Sequence, residues 1–187
     1  MLHWGISLLA LAGCMHESDD AEKTALEGVW KIGCNYDADD DIYETEELRF
    51  SGNGFSGNFV EFADASCSMK EYQFDISGST LIGSEVILTS GETVNKIDIT
   101  FAKALVTLGT DDMVIGFNTE SVCSNSNWQK NVAVDITNCA FFEMPEKIYD
   151  IFKIDGNNLK FGDESTGDGD SDSTRPTQLD DTAYSKQ

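Results

Sequence analysis

Gly28-Val29-Trp30-Lys31-Ile32-Gly33-Cys34 is the stretch from which the chain is read. It is the first strand-like run after a polar start, with a tryptophan two residues after a glycine and a cysteine four residues further on. The downstream sequence repeats one pattern. Glu47-Leu48-Arg49-Phe50 alternates polar and apolar residues, as a strand with one buried face does. Ser51-Gly52-Asn53-Gly54 is a tight turn that needs left-handed backbone angles, and Phe55 to Phe62 forms the returning strand. This pair is the strongest hairpin signal in the sequence.

Alternation continues along the chain. Tyr72, Phe74 and Ile76 fall on one face of Glu71 to Ile76. Ser77-Gly78 reads as a turn into Leu81 to Leu88, and Ser90-Gly91-Glu92-Thr93 as the next turn. Ile97, Ile99 and Phe101 then face inward, with Lys96, Asp98 and Thr100 outward. Asp111 to Val122 lacks alternation and reads as a short helix or a loop. Trp128 to Ile136 alternates again, with Val132, Val134 and Ile136 on one side; Ile148 to Ile154 and Leu159 to Gly162 are the last strands. About eight or nine short strands with glycine turns make an all-β domain, an antiparallel barrel or half-barrel with room for one short helix; a sandwich is the runner-up.

Acidic residues outnumber basic ones 34 to 12, for a net charge of -22. That repels nucleic acid and anionic membrane surfaces, and suits a solvated acidic coat. The two histidines, His3 and His16, both precede the folded region. Histidine-activated nucleophiles and histidine metal sites are therefore excluded from the domain. Asp111-Asp112 and Glu46-Glu47 make no glycosidase case, because carboxylate separation decides that chemistry. No catalytic residue, cofactor or metal ligand is assigned.

Trp4 to Ala12 is apolar, the length of a signal-peptide core and too short for a membrane span. It ends in Leu11-Ala12-Gly13-Cys14, which resembles a bacterial lipobox although no Lys or Arg precedes the apolar run. Residues 1–13 are thus expected to be a lipoprotein signal and Cys14 the lipidated residue, with 14–25 an acidic tether. Met15 after Cys14 resembles outer-membrane sorting, so the expected location is the bacterial cell envelope, with the membrane reached through the anchor alone. Residues 26–162 form the domain and 163–187 an Asp/Gly/Ser-rich segment, whose part after Arg175 either wraps back or frays.

Five cysteines are present: Cys14, Cys34, Cys67, Cys123 and Cys139. With Cys14 lipidated, an even number remains in an exported protein. Four cysteines allow three connectivities; Cys34 with Cys67 and Cys123 with Cys139 keeps each bridge local. A zinc site lacks the Cys-x-x-Cys spacing. Asp168, Asp170 and Asp172 alternate as calcium-loop ligands do, but Ser173 and Leu179 stand where such a loop needs glycine and its bidentate acid. Asp37, Asp39 and Asp41 fail in the same way.

Two ordered sets of residues resemble one family. The first is Gly28-x-Trp30, Cys34, Phe50, Phe62-Ala63-Asp64, Cys67, Tyr72 and Gly78. The second is Cys123, Trp128, Asp135-Ile136-Thr137, Cys139, Tyr149-Asp150-Ile151-Phe152-Lys153, Leu159-Lys160-Phe161 and Arg175-Pro176. Together, over Leu26 to Arg175, they resemble the adenomatosis polyposis coli down-regulated domain, found in secreted and membrane-anchored Wnt antagonists and in bacterial lipoproteins. The resemblance implies a lipocalin-like barrel or half-barrel with an apolar cavity, two disulfides, and a fatty-acyl or other apolar ligand; it names no protein partner. Within that frame Cys34 is expected to bridge Cys67. The Gly-x-Trp opening also resembles true lipocalins, in which an arginine packs over the tryptophan, and Arg49 and Arg175 are the only arginines available.

Trp30 either lines the cavity or plugs its floor. The inward set Phe50, Phe59, Phe62, Tyr72, Phe74, Ile97, Ile99, Phe101, Val134 and Phe152, with Trp30, is the candidate ligand lining. Plain core needs the same residue types.

Overall fold

The computed structural model describes residues 25–37 and 41–187. The signal, Cys14, most of the tether and the middle of the Asp37–Asp41 loop lie outside the described residues.

Among the described residues nine strands form in chain order. They are β1 (Gly28–Asp37), β2 (Ile42–Ser51), β3 (Gly54–Phe62), β4 (Lys70–Ile87), β5 (Thr93–Leu108), β6 (Ala133–Asp135), β7 (Lys147–Asp155), β8 (Asn158–Phe161) and β9 (Tyr184–Lys186). β1 to β5 pair successively and antiparallel. β5 continues to β7, β7 to β8, β8 to β9, and β9 returns to β1. Eight strands thus close an antiparallel barrel, and β6 adds an outlying strand to the upper part of β5. Closure leaves the ring itself without an edge, which a sandwich does not achieve.

The β2–β3 turn forms where the sequence places it, with Ser51 opposite Gly54 and Gly52 at φ 59°. The expected turn at Ser77-Gly78 does not form: β4 runs through it without a break. Gly78 marks a different event. A Cβ there would lie 1.9 Å from the Thr100 carbonyl oxygen, where the β4–β5 register shifts between Ser77 and Gly78. Glycine inside a strand here permits a close backbone approach at a bulge. The expected strand Trp128 to Ile136 shrinks to β6; Val132 is exposed, whereas Ile136 is buried and its N–H donates to the Ala104 carbonyl.

The stretch without alternation is a helix, α1 (Asp111–Glu120). Thr110 caps it, its hydroxyl accepting from the Met113 N–H at 3.3 Å, and Asp111 and Asp112 place negative charge in the first turn. Phe117 meets the Trp128 ring edge-on at 5.2 Å, and Val122, Trp128 and Ile136 join the barrel core from outside the ring. Asn118 holds Trp128 through two hydrogen bonds to its backbone, and the indole donates to the Val122 carbonyl.

The acidic C-terminal segment wraps back. Arg175, its side chain only 9% exposed, staples it to the barrel wall. Its Nη1 donates to the Ile97 and Asp150 carbonyls at 2.8 and 2.7 Å, its Nε to Asp172, and its Nη2 to Asp98. Lys147 adds a second cation to Asp98, and Tyr149 lies under both cations. From this anchored segment β9 enters the sheet and completes the barrel, so the barrel reaches past residue 162.

Candidate functional site

Register sorts the inner face into layers. Leu48, Gly57, Ile76 and Ala104 are mutual neighbours across β2 to β5. One step toward the mouth come Glu46, Phe59, Phe74 and Val106, and beyond them Glu44, Glu61, Tyr72 and Leu108. The side chains of the lower layer are buried. In the upper two, Val106 and Leu108 are fully buried on the wall that carries α1 and its connections, while Glu46, Phe59, Phe74, Glu44, Glu61 and Tyr72 are half-buried. Burial thus relaxes on the β2–β4 side of the mouth, where aromatic rings and carboxylates face inward together.

β9 adds Tyr184 to this mouth. Its hydroxyl donates to the Glu46 carboxylate, and its ring meets Phe161 edge-on at 5.8 Å. Burial pushes the Glu46 carboxyl up, against the Tyr184 hydrogen bond that favours its ionised form. Burial also raises both phenols: Tyr72, with Glu61 adding to it, and Tyr184, with Glu46 adding to it. Both rings therefore present a protonated hydroxyl beside a carboxyl group across the physiological range.

The floor is Trp30. It is fully enclosed, and its indole donates to the Leu26 carbonyl at 2.7 Å. The cation over its ring is neither arginine: Lys186 sits 4.9 Å from the ring centroid and donates to the Ala25 carbonyl. Arg49 instead pairs with Glu47 on the outer wall, and Arg175 lies over Tyr149. Lys186 opposes Trp30 in register from β9, a segment without a barrel-like sequence pattern.

The expected lining residues divide accordingly. Trp30, Phe50, Ile97, Ile99 and Phe152 are buried in the core cluster. Phe59, Tyr72 and Phe74 gather at the mouth, with Phe59 and Phe74 at 6.5 Å between centroids. Phe101 meets Phe55 edge-on at 6.4 Å on the inner face, and Val134 packs from β6, opposite Val106. Phe62 is a correction. It pairs with Tyr43 and Lys70 on the outward face, because a residue three positions from Phe59 falls on the other side of a pleat with a period of two. Glu44, Glu46, Glu61 and Tyr184 are inward residues that reading for apolar types passes over. Glu44 and Glu46 are in phase with Leu48 and Phe50, so the alternation itself carried their signal.

Two bridges flank this architecture. Cys34–Cys67 ties β1 to the β3–β4 loop, with Cα atoms 5.8 Å apart, and Cys123–Cys139 ties the turn after α1 to the segment after β6, at 5.1 Å. The β3–β4 loop folds around Asp64, whose carboxylate accepts from Ser66, Ser68 and Met69 and is held far below the usual carboxylate range by Ser66 and the Met69 N–H. A cleft of about 460 Å³ opens beside Cys123–Cys139, bordered by Glu120, Asn138 and Phe141. Another of about 210 Å³ lies on the outer wall between Arg49, Asn58, Asp75 and Lys103. In the candidate calcium loops, Asp172 is engaged by Arg175 and Lys96, and Asp168 accepts from the Asp170 N–H. Among the described residues no group of three metal-ligating side chains converges, and no helix is long and apolar enough to cross a membrane. No protein-family model matches the chain, and no curated protein matches it in sequence.

Proposed function

We propose that this is a non-enzymatic, lipid-anchored protein of the bacterial cell envelope, related to the adenomatosis polyposis coli down-regulated domain, which binds a small apolar or acylated ligand at its barrel mouth. The carrying observation is the inward, half-buried group Phe59, Tyr72 and Phe74 beside the Tyr184–Glu46 pair. Aromatic faces accept an acyl chain, and one hydroxyl–carboxylate pair gives a polar point that orients a head group. The lipobox-like Leu11 to Cys14 supports the anchor. The test is native mass spectrometry of the full chain, with titration of a fluorescent fatty-acid probe. Co-purifying or bindable fatty acid, with affinity weakened about tenfold by Phe74→Ala, roughly 1.4 kcal/mol, is the expected result. Absence of any bound or bindable acyl chain overturns it.

A second reading rests on a different observation. Trp30, Ile97, Phe152 and Leu159 are almost completely enclosed, as in a barrel filled by its own side chains. That reading makes the protein a structural or interaction module of the envelope, and the failed titration is its signature.

A further inference from the structure

We propose that β9 is a lateral gate, whose release opens a slot between β1 and β8 into the barrel interior. The inference rests on the ligand-binding reading of the mouth. β9 is the shortest strand of the closed ring, and both seams it makes are brief. Its partners are Trp30 and Lys31 in β1, and Asn158 and Leu159 in β8. Beyond the ladder, the Lys186 N–H donates to the Asn157 carbonyl and the Gln187 N–H to the Val29 carbonyl. By contrast β2, β3 and β4 pair along nearly their whole shared length.

The side chains that β9 turns inward are also unlike the rest of the wall. They are Tyr184 and Lys186, held by a hydroxyl–carboxylate contact and by a cation over an indole. Lys186 is not an apolar core residue, and Tyr184, which packs by its ring edge against Phe161 and the core, carries a polar end. Water satisfies both polar ends when the strand leaves, so the strand can part without unfolding the apolar layers. The chain just before β9 is fixed. The Asp163 N–H donates to the Gln178 carbonyl, the Asp180 N–H to the Phe161 carbonyl, and the Lys160 ammonium to the Asp180 carbonyl. Arg175 pins the segment further back. Only Asp181, Thr182 and Ala183 lie between this anchorage and the strand. That is the arrangement of a short flap on a fixed pivot. Behind the flap stand Trp30 and Leu159, both fully buried while it is in place.

Lys31 and Ser185 are direct cross-strand partners, so the double substitution Lys31→Cys with Ser185→Cys permits a disulfide that locks the flap. Two measurements test the gate. In the full-length wild type, hydrogen exchange at the Lys186 and Gln187 amides should be at least about 100-fold faster than in β2 and β3, through an opening insensitive to denaturant. Exchange of these amides only with global unfolding overturns the gate, whether or not any ligand binds. In the oxidised double variant, uptake of the fatty-acid probe should slow at least about tenfold and recover on mild reduction of the engineered bridge. Equal uptake by locked and unlocked protein overturns the gate while leaving the ligand reading intact. Fast β9 exchange in a protein that takes up no probe overturns the ligand reading and retains the opening.

Discussion

The β1–β5 meander and the part of the molecule that closes it are built differently. In the meander each strand pairs with the next one in sequence, and its inner face is apolar in the lower layers, with carboxylates entering only toward the mouth. The closing part, from α1 to β9, adds buried apolar residues of its own, among them Ile136, Ile151, Phe152 and Leu159, but is also tied down by a few polar or aromatic anchors: Arg175, Asp150, Tyr184, Lys186 and Trp128 with its neighbouring bridge. Distributed apolar contacts lose a little with each substitution. Concentrated polar anchors, once desolvated, fail individually and leave a buried partner uncompensated.

The first test of this contrast compares the two arginines. Arg175→Ala takes one of two cations from Asp98, which keeps Lys147, and leaves the Ile97 and Asp150 carbonyls without their donor; it is expected to cost about 2–3 kcal/mol, read as a lowered denaturation midpoint. Arg49→Ala, on the exposed outer wall of the meander, should cost less than about 0.5 kcal/mol. Equal effects would dissolve the distinction.

The bridges come next. Each contributes about 3–4 kcal/mol by chain entropy for separations of 33 and 16 residues. Cys34 is exposed, whereas Cys123 and Cys139 pack against the core. Graded reduction followed by mass mapping should therefore open Cys34–Cys67 first. Removal of Cys34–Cys67 should lower stability while leaving the Trp128 environment, followed by near-ultraviolet circular dichroism, unchanged.

Asp150 supplies the pH dependence. Burial pushes its carboxyl up to about 7, against hydrogen bonds from the Ile151 and Gly162 N–H groups; Glu164 raises it further and Arg175 lowers it. Its folded value lies above the ordinary value near 4, so its contribution is complete below about pH 4 and is lost as pH rises through about 7. Other carboxyls oppose this at the acidic end. For Asp98, burial is outweighed by Lys147 and Arg175, so it is depressed, and Asp172 is depressed by Arg175 and Lys96. Their contributions disappear on acidification below the ordinary range. Wild-type stability should therefore peak near pH 5 and fall by about 2 kcal/mol toward pH 8. Asp150→Asn should flatten that fall, as measured by denaturation midpoints at a series of pH values.

A smaller effect is expected at the mouth. Tyr184→Phe removes the hydrogen bond to Glu46 and should cost about 1 kcal/mol, visible as a modest midpoint shift and faster exchange of the β9 amides. No change in β9 exchange would show that Tyr184 does not help hold that strand.

The hairpin at Ser51–Gly54, the strands around Tyr72 and Ile97, and the final pair β7–β8 are legible in the sequence because period-two alternation and turn glycines act locally. Gly78 misleads because a glycine looks the same in a turn and at a strand bulge, and only the partner strand separates them. Phe62 misleads because its apolar character outweighs its phase. The mouth is half legible: Phe59, Tyr72 and Phe74 stand out by type, while Glu46 needs strict attention to alternation. Tyr184 and Lys186 carry no signal at all, lying in a segment whose composition reads as solvated.

Periodicity and composition suffice for an all-β chain, its first hairpins, an even number of cysteines within the domain, and a domain without histidine, because each depends only on residue types and near neighbours along the chain. Three outcomes needed the folded molecule: the strands close into a barrel, the C-terminal segment supplies the closing strand, and a lysine rather than an arginine covers Trp30. Those are long-range pairings among groups far apart in sequence, selected by which polar side chain finds a partner once the apolar layers have packed.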